Sequence, residues 1–130
     1  MSGARRIATD GAPRALGPYA QAVEAGHLVF CSGQVGIDPA TGTLVAGGIA
    51  AETARALENL QAVLRAAGLG LGDVLKTTVY LVDLGEFAAL NEVYARWFPP
   101  PHPARATVQV AALPAGARVE IELVAARRAP

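Results

Sequence analysis

Hydrophobic positions in this chain recur with two different periods. Between residues 49 and 67, Leu57, Leu60, Leu64 and Ala67 return at steps of three and four, while Glu52, Arg55, Glu58 and Arg65 sit mostly off that stripe. An apolar face on a 3.6-residue repeat predicts an amphipathic helix, and Gly68 follows where a C-terminal cap belongs. A second helix is predicted over 84–98. At ~100° per residue, Phe87, Leu90, Tyr94, Trp97 and Phe98 fall within an arc of roughly 100°. Asp83 and Glu86 have the spacing of a capping box, and the prolines at 99–101 end the segment.

The other apolar runs are short and bounded by turn residues. "HLVFCSGQV" (27–35) reads as a buried strand that closes in a turn or bulge at Ser32-Gly33, and "DPATGTL" (38–44) as a turn cluster. "VLKTTVYLV" (74–82) is β-branched and nearly continuous, which predicts a strand buried on both faces. Two more strands, 105–111 and 118–126, flank "LPAG". Strands, helix, strand, helix and two strands make an α+β plan: one sheet, with both helices most simply packed on one face. Such a plan leaves the other face bare. Ala106, Val108 and Val110 point one way along 105–111, and Arg105, Thr107 and Gln109 the other. Along 118–126, Val119, Ile121 and Leu123 oppose Glu120, Glu122 and Val124. An uncovered apolar sheet face marks an interface, so the pattern predicts a homo-oligomer.

Composition narrows the setting. With 130 residues, 52% of them hydrophobic, the chain is expected to be one globular domain over 1–130, with 1–16 as a loose N-terminal arm. Lys+Arg and Asp+Glu both count 11, and the basic residues are scattered apart from Arg5-Arg6 and Arg127-Arg128. No basic face is available for nucleic acid. Cys31 is the single cysteine and lies in an apolar run, so it reads as a small buried hydrophobe. A chain that cannot form an internal disulfide fits a reducing cytosol. Nothing apolar follows Arg5-Arg6, and no run is long enough to span a bilayer. No signal peptide, no membrane contact and a cytoplasmic location are therefore expected. "GLGLGD" (68–73) follows a helix rather than a strand and fails the phosphate-loop spacings, which leaves a cap and a turn. His27 and His102 lack acidic or cysteine neighbours in sequence, so no metal site is expected.

Some residues do not fit a bland core. Arg105 and Glu120 are charges in the polar files of strands that are otherwise mostly apolar. A structural ion pair or an exposed rim would explain each, yet the two do not meet easily within one chain. In a hairpin about "LPAG", Glu120 lies opposite Gln109 or Val110, over ~10 Å from Arg105 at ~3.4 Å per residue. With a strand between them, the lateral gap is two strand spacings, roughly 10 Å. Either they serve different purposes, or a neighbouring subunit brings them together. Asn91 sits at the edge of the second helix's apolar arc. A buried amide without partners costs ~1–3 kcal/mol, and a loop carbonyl would satisfy it. Tyr19, in "GPYAQAV", reads as a core tyrosine with its hydroxyl at the surface. Ser32-Gly33 is either a strand end or a place where backbone N–H groups approach a ligand.

Together, "GPYAQAV", "SGQVGIDPATG", "NLQAVLRAAGLGLGDVLKTTVYLVDLGEF", "LNEVYARWF" and "PARATVQVAALPAGARVEIELVA" resemble the Rid/YjgF family of reactive-intermediate (enamine/imine) deaminases, over about residues 17–126. The resemblance implies a chorismate-mutase-like α+β fold with a single mixed sheet, the final strand inserted beside 74–82. It also implies a homotrimer with sites in the clefts between subunits. The implied activity is hydrolysis of 2-imino acids, tautomers of enamines such as 2-aminoacrylate, to 2-oxoacids and ammonia, with no cofactor and no metal. By position, Arg105 holds the substrate carboxylate, a role that suits a planar, always-charged fork. Glu120 positions or activates water. Tyr19, Ser32 and Asn91 line the pocket, and Gly33 and the backbone at Thr107 contact ligand through main-chain groups. Thr107 stands where many members carry cysteine, which removes thiol chemistry and leaves deamination standing. Two other functions stay compatible with the sequence. One is a small-molecule binding or sensing protein of the same fold. The other is a ribonuclease or translation inhibitor, which neutral charge and a single lysine disfavour.

Overall fold

The computed structural model describes residues 3–128. Arg5–Ile7 (β1) pairs with Ala22–Ala25 (β2), and β2 pairs with Leu28–Gln34 (β3), all antiparallel. Ile37–Asp38 (β4) and Thr43–Leu44 (β5) form a small separate hairpin around the predicted turn. The helix Gly48–Ala66 (α1) leads to Val74–Leu81 (β6). The helix Phe87–Trp97 (α2) then leads to Ala104–Gln109 (β7) and Val119–Ala126 (β8). The main sheet has six strands in the order β1-β2-β3-β8-β6-β7. It is a mixed sheet: β6 and β7 run parallel, while β8 is antiparallel to both β3 and β6. A parallel pair needs a crossover connection, which α2 supplies. The chain then returns through β8 into the middle of the sheet, so the last two strands form no hairpin.

Local chemistry sets the element ends. Gly68 takes φ +78 beyond α1, and the N–H groups of Gly68 and Leu69 donate to the carbonyls of Arg65 (2.9 Å) and Leu64 (2.8 Å). These are the two bonds of a Schellman motif, which a residue with a Cβ would form at a steric penalty. The expected Asp83/Glu86 capping box is only half formed. Asp83 Oδ1 accepts from Gly85 N at 2.8 Å, whereas the Glu86 carboxylate turns away to Arg118 Nη1 at 3.1 Å. A short 3-10 turn over Leu84–Glu86 precedes α2, so the α-helix begins three residues later than predicted.

One face of the sheet carries the core. Val29 and Cys31 of β3, Val79 and Leu81 of β6, and Val119, Ile121 and Leu123 of β8 are buried with Leu57, Leu60 and Leu64 of α1 and Leu90 of α2. Each such leucine stabilises the fold by ~1.5–3 kcal/mol relative to an exposed one. The opposite face is not covered by any described element. There Phe30 is 45% and Val108 41% exposed, beside half-buried Tyr80 and Val124. β6 is consequently buried on one face and not, as its composition predicts, on both: Lys76 is exposed and Thr78 only half-buried. Part of the N-terminal segment is tied to the sheet. β1 is hydrogen-bonded to the sheet, and the buried amide of Gln21 accepts from Thr9 N (2.7 Å) and donates to the carbonyls of Thr9 (3.1 Å) and Pro13 (2.8 Å). No helix among the described residues is long and apolar enough to cross a membrane.

Candidate active site

The pairing of β7 with β6 decides where Arg105 points. Arg105 is the partner of Thr77, whose side chain is fully buried under the helices, and directly paired residues share a sheet face. The polar file of β7 therefore faces the helix layer, and the apolar file, Ala106 and Val108, faces out. On the covered side, α2 presents Phe87, Asn91 and Tyr94 at steps of four and three, one stripe along the helix. The Arg105 guanidinium carbon lies 4.8 Å from the Tyr94 ring centroid and 5.4 Å from that of Phe87. Arg105 Nη1 donates to Asn91 Oδ1 at 2.8 Å. Tyr94 is fixed in turn by a 2.7 Å hydrogen bond between its hydroxyl and Thr77 Oγ1, and burial pushes its phenol above the ordinary range. The guanidinium is thus held flat by two rings and one amide. Its other N–H groups have no hydrogen-bond partner among the described residues. Two positions further along the same face, the buried Thr107 Oγ1 also lacks a partner.

The second cluster lies elsewhere. Tyr19, Ser32, Gly33 and Glu120, with Arg14 and Pro114 beside them, line a cavity of about 310 Å³. A bulge in β3 opens it: pairing with β8 runs regularly to Cys31 and shifts before Gln34, so Ser32 and Gly33 leave the ladder. Ser32 Oγ donates to the Ala20 carbonyl at 2.6 Å, and the Tyr19 hydroxyl accepts from Leu16 N at 3.2 Å while keeping its own proton to donate. Gly33 makes room for the carboxylate of Glu120. A Cβ there would lie 2.8 Å from Glu120 Cδ and overlap the carboxylate oxygen Oε2. Glu120 is half-buried, and burial, then the charge of Glu122, pushes its carboxyl above the ordinary range. A carboxylate tuned this way exchanges protons more readily near neutrality. Cys31, beside the bulge, is buried in the core and its thiol is pushed up to about 12, which leaves it inert as a nucleophile.

These two clusters do not meet within the chain. Thr77 pairs with both Arg105 and Leu123, so Glu120 is three residues away along the strand direction and two strands across. At ~3.4 Å per residue and ~4.8 Å per strand, that is about 10 Å in each direction. Moreover, Glu120 pairs with Tyr80 and lies on the uncovered face, opposite to Arg105. Asn91, Arg105 and Thr107 belong to one cluster, and Tyr19, Ser32, Gly33 and Glu120 to the other. Phe87 and Tyr94 were legible only as core positions, although their 87/91/94 spacing with Asn91 was the available signal. Among the described residues, no group of three or more His, Cys, Asp or Glu side chains converges to hold a metal.

A family model described as Endoribonuclease L-PSP matches residues 9–127, a span that includes both clusters. The chain belongs to the Rid/YjgF family. Within it, Protein DfrA of Myxococcus xanthus is 52% identical over 123 residues, covering 93% of this chain and 94% of that protein. A Mus musculus relative named 2-iminobutanoate/2-iminopropanoate deaminase is 51% identical over 119 residues, covering 92% of this chain and 88% of its own. The crystal structure of RidA from an Antarctic Psychrobacter species matches with a TM-score of 0.91 at 49% identity, covering 94% of this chain and 98% of that one. The mixed sheet with two helices described above is the architecture of Rid/YjgF structures.

Proposed function

We propose that this Rid/YjgF chain hydrolyses 2-imino acids and their enamine tautomers, such as 2-aminoacrylate, to 2-oxoacids and ammonia, in clefts between the subunits of a homotrimer. The observation that carries the reading is the state of Arg105: clamped by Asn91, Tyr94 and Phe87, with N–H groups left to grip a carboxylate in the bidentate way a lysine cannot copy. The names of the mouse relative and of a human relative 50% identical over 93% of this chain, both 2-iminobutanoate/2-iminopropanoate deaminases, support the substrate class. Assembly is supported by two features. The sheet has an uncovered face bearing Phe30, Tyr80 and Val108, and each half-site lacks the other within its own chain.

In the shared cleft, Arg105 of one copy binds the carboxylate and so fixes the imine carbon. Water held by Glu120 of a neighbour attacks that carbon. A C–O bond forms as the C=N π bond opens, and Glu120 passes one water proton to nitrogen. Glu120 then takes the hydroxyl proton of this carbinolamine and delivers it to the amine as the C–N bond breaks, leaving the 2-oxoacid and ammonia. The Tyr19 hydroxyl stands on the same wall as Glu120 and helps to carry the proton. Imines already hydrolyse in water, so the rate gain demanded is modest and positioning supplies most of it. No step calls for a cofactor or a metal. An endoribonuclease function finds less support in this chain, because Arg5, Arg55, Arg96, Arg118 and Arg127 are each paired with a glutamate and form no basic track.

The test is loss of 2-iminopropanoate, generated in situ, with the purified chain and with Arg105→Ala. Turnover that falls at least ~100-fold in the variant supports the reading. A variant as fast as the unaltered chain overturns it, and binding of 2-oxoacids without any turnover by the unaltered chain converts the reading to a sensor. Sedimentation of the chain as a monomer would remove the shared cleft.

A further inference from the structure

Glu120 is not the only carboxylate on the uncovered side of β8. Glu122 follows two residues later and so projects from the same face, about 7 Å along the strand. By register, Tyr80 lies directly opposite Glu120 and Thr78 opposite Glu122. Yet the Tyr80 hydroxyl does not turn to its direct partner. It reaches diagonally and donates to Glu122 Oε1 at 2.6 Å, the short distance of a charge-assisted O–H···O⁻ bond. That bond works on both groups. It keeps the phenol protonated, raising it above its ordinary range, and it fixes the Glu122 side chain in place.

Among the described residues, the surroundings of Glu120 leave Glu122 as the one carboxylate that acts on it. β3 contributes Gly33, which carries no charge, and β6 contributes Tyr80, already committed as a donor to Glu122. Lys76 is further along β6, in the row of Val124. The N-terminal segment contributes Tyr19 and the cation Arg14 to the same cavity wall. In the shared cleft, a guanidinium from a neighbour would join Arg14 and favour a permanently ionised Glu120. Such a carboxylate accepts a proton from water poorly and is a weak participant in general acid/base work.

We propose that Glu122, pinned by the Tyr80 hydroxyl, is a positioning residue for the hydrolytic step: a fixed negative charge, set beside Glu120, that keeps it able to take a proton from water and return it to the leaving nitrogen. Glu122 acts through Glu120 and does not touch substrate. Neutralising it leaves Glu120 to the surrounding cations and shifts its titration to lower pH. The direction follows from removing a like charge, and screened Coulomb interaction over about 7 Å gives a shift of roughly one pH unit. This inference rests on the deaminase reading for its kinetic consequence, whereas the coupling between the two carboxylates does not.

Two measurements on the intact assembly separate these. The first is the titration of the Glu120 side-chain carboxyl, followed by ¹³C NMR with glutamate labelling and assigned by Glu120→Gln. The second is the pH dependence of kcat/KM for 2-iminopropanoate. Both are recorded for the unaltered chain, for Glu122→Gln, which keeps shape and a hydrogen-bond acceptor for Tyr80, and for Glu122→Asp, which keeps the charge. The expected result is a Glu120 midpoint and an acid kinetic limb both lower by about one unit in Glu122→Gln, an unchanged KM at neutral pH, and near-normal values in Glu122→Asp. Should Glu122→Gln fail to assemble, Tyr80→Phe releases the pin and shifts both readouts the same way by a smaller amount. A Glu120 midpoint that stays put in the neutral variant overturns the proposal, as does a midpoint that moves without the kinetic limb. If the unaltered chain shows no turnover while the midpoint still moves, the deaminase reading has failed and the carboxylate coupling stands.

Discussion

Gly33→Ala separates the geometry of the site from the stability of the fold. The added Cβ would lie 2.8 Å from Glu120 Cδ and 3.1 Å from Cγ, where ordinary contact begins at 3.4 Å and extends to 4 Å. The carboxyl carbon must therefore retreat by about 0.6 to 1.2 Å (3.4 or 4 less 2.8). Glu120 is half-buried and ends in a flexible side chain, so the retreat is a rotation rather than a backbone shift, and Gly33 has an ordinary negative-region φ that alanine adopts. Replacing glycine also reduces the freedom of the unfolded chain by ~0.4–1 kcal/mol, which offsets part of the crowding. Net stability should change by less than about 1 kcal/mol. Catalysis should respond far more, because misplacing a reacting group by ~1 Å costs on the order of 100-fold, or ~2.7 kcal/mol of transition-state stabilisation. Thermal melts and kcat/KM for 2-iminopropanoate, measured beside Glu120→Gln, decide the matter. The expected pattern is an unshifted melt and ~100-fold lower kcat/KM, with little further loss in the double variant because both changes remove one function. Unchanged kcat/KM would mean that the carboxylate's position against Gly33 plays no part in the chemistry.

Other consequences follow from individual contacts. Asn91→Ala removes the 2.8 Å bond that orients Arg105 and should raise KM by about tenfold, ~1.4 kcal/mol, while kcat falls less. A kcat effect with KM untouched would place Asn91 at the reacting atoms instead. Glu24 ties β1 to the C-terminal end of the described chain through Arg5 (2.8 Å) and Arg127 (2.9 Å). The Arg127 hydrogen bond first, and then that of Arg5, lower its carboxyl from 4.5 to about 2. A depressed folded-state value stabilises above pH 4.5 and is lost as pH falls towards 2. The melting temperatures of the unaltered chain and Glu24→Gln should therefore converge as pH is lowered across that window, and a gap independent of pH would show that these ion pairs contribute nothing.

The parts of the fold that were legible are those where a long apolar repeat had one way to be buried. The stripe through Leu57, Leu60 and Leu64 predicted 49–67, and the helix spans Gly48–Ala66. Strands of two to four residues, β1, β2, β4 and β5, carry too few positions to show a period, and their pairing depends on partners distant in sequence. The staple at Gln21 was hidden for the same reason: its carbonyl and amide partners, Thr9 and Pro13, are unmarked loop residues. The sidedness of β7 was the instructive case. Its two files, Ala106 with Val108 and Arg105 with Thr107, were clear, but hydrophobicity alone assigns the apolar file to the core. The parallel register with β6 assigns it to the uncovered face, and an edge strand only partly roofed by α2 leaves room for a guanidinium beneath the rings of Phe87 and Tyr94. The distance between Arg105 and Glu120 could be argued from strand spacing in any pairing. That they stand on opposite faces could not.

Opposite faces have a chemical consequence. A guanidinium and a carboxylate facing each other inside one chain would close into an ion pair and satisfy each other. Held on opposite faces, Arg105 keeps unused N–H groups and Glu120 keeps a raised carboxyl, and the shared cleft proposed above would take one from each of two copies. This makes complementation between two dead variants the sharpest test of the shared cleft. In a ring of identical chains, each cleft takes its Arg105 half from one subunit and its Glu120 half from the next. If Arg105→Ala and Glu120→Gln chains are unfolded together in equal amounts and refolded, a cleft is intact only when its first half comes from the Glu120→Gln chain and its second from the Arg105→Ala chain. Random assembly gives that arrangement in about one cleft in four, so the mixture should regain roughly a quarter of the unaltered activity, although neither variant alone has any. If both residues served a site within one subunit, every site would carry one defect or the other, and the mixture would stay as inactive as its parts.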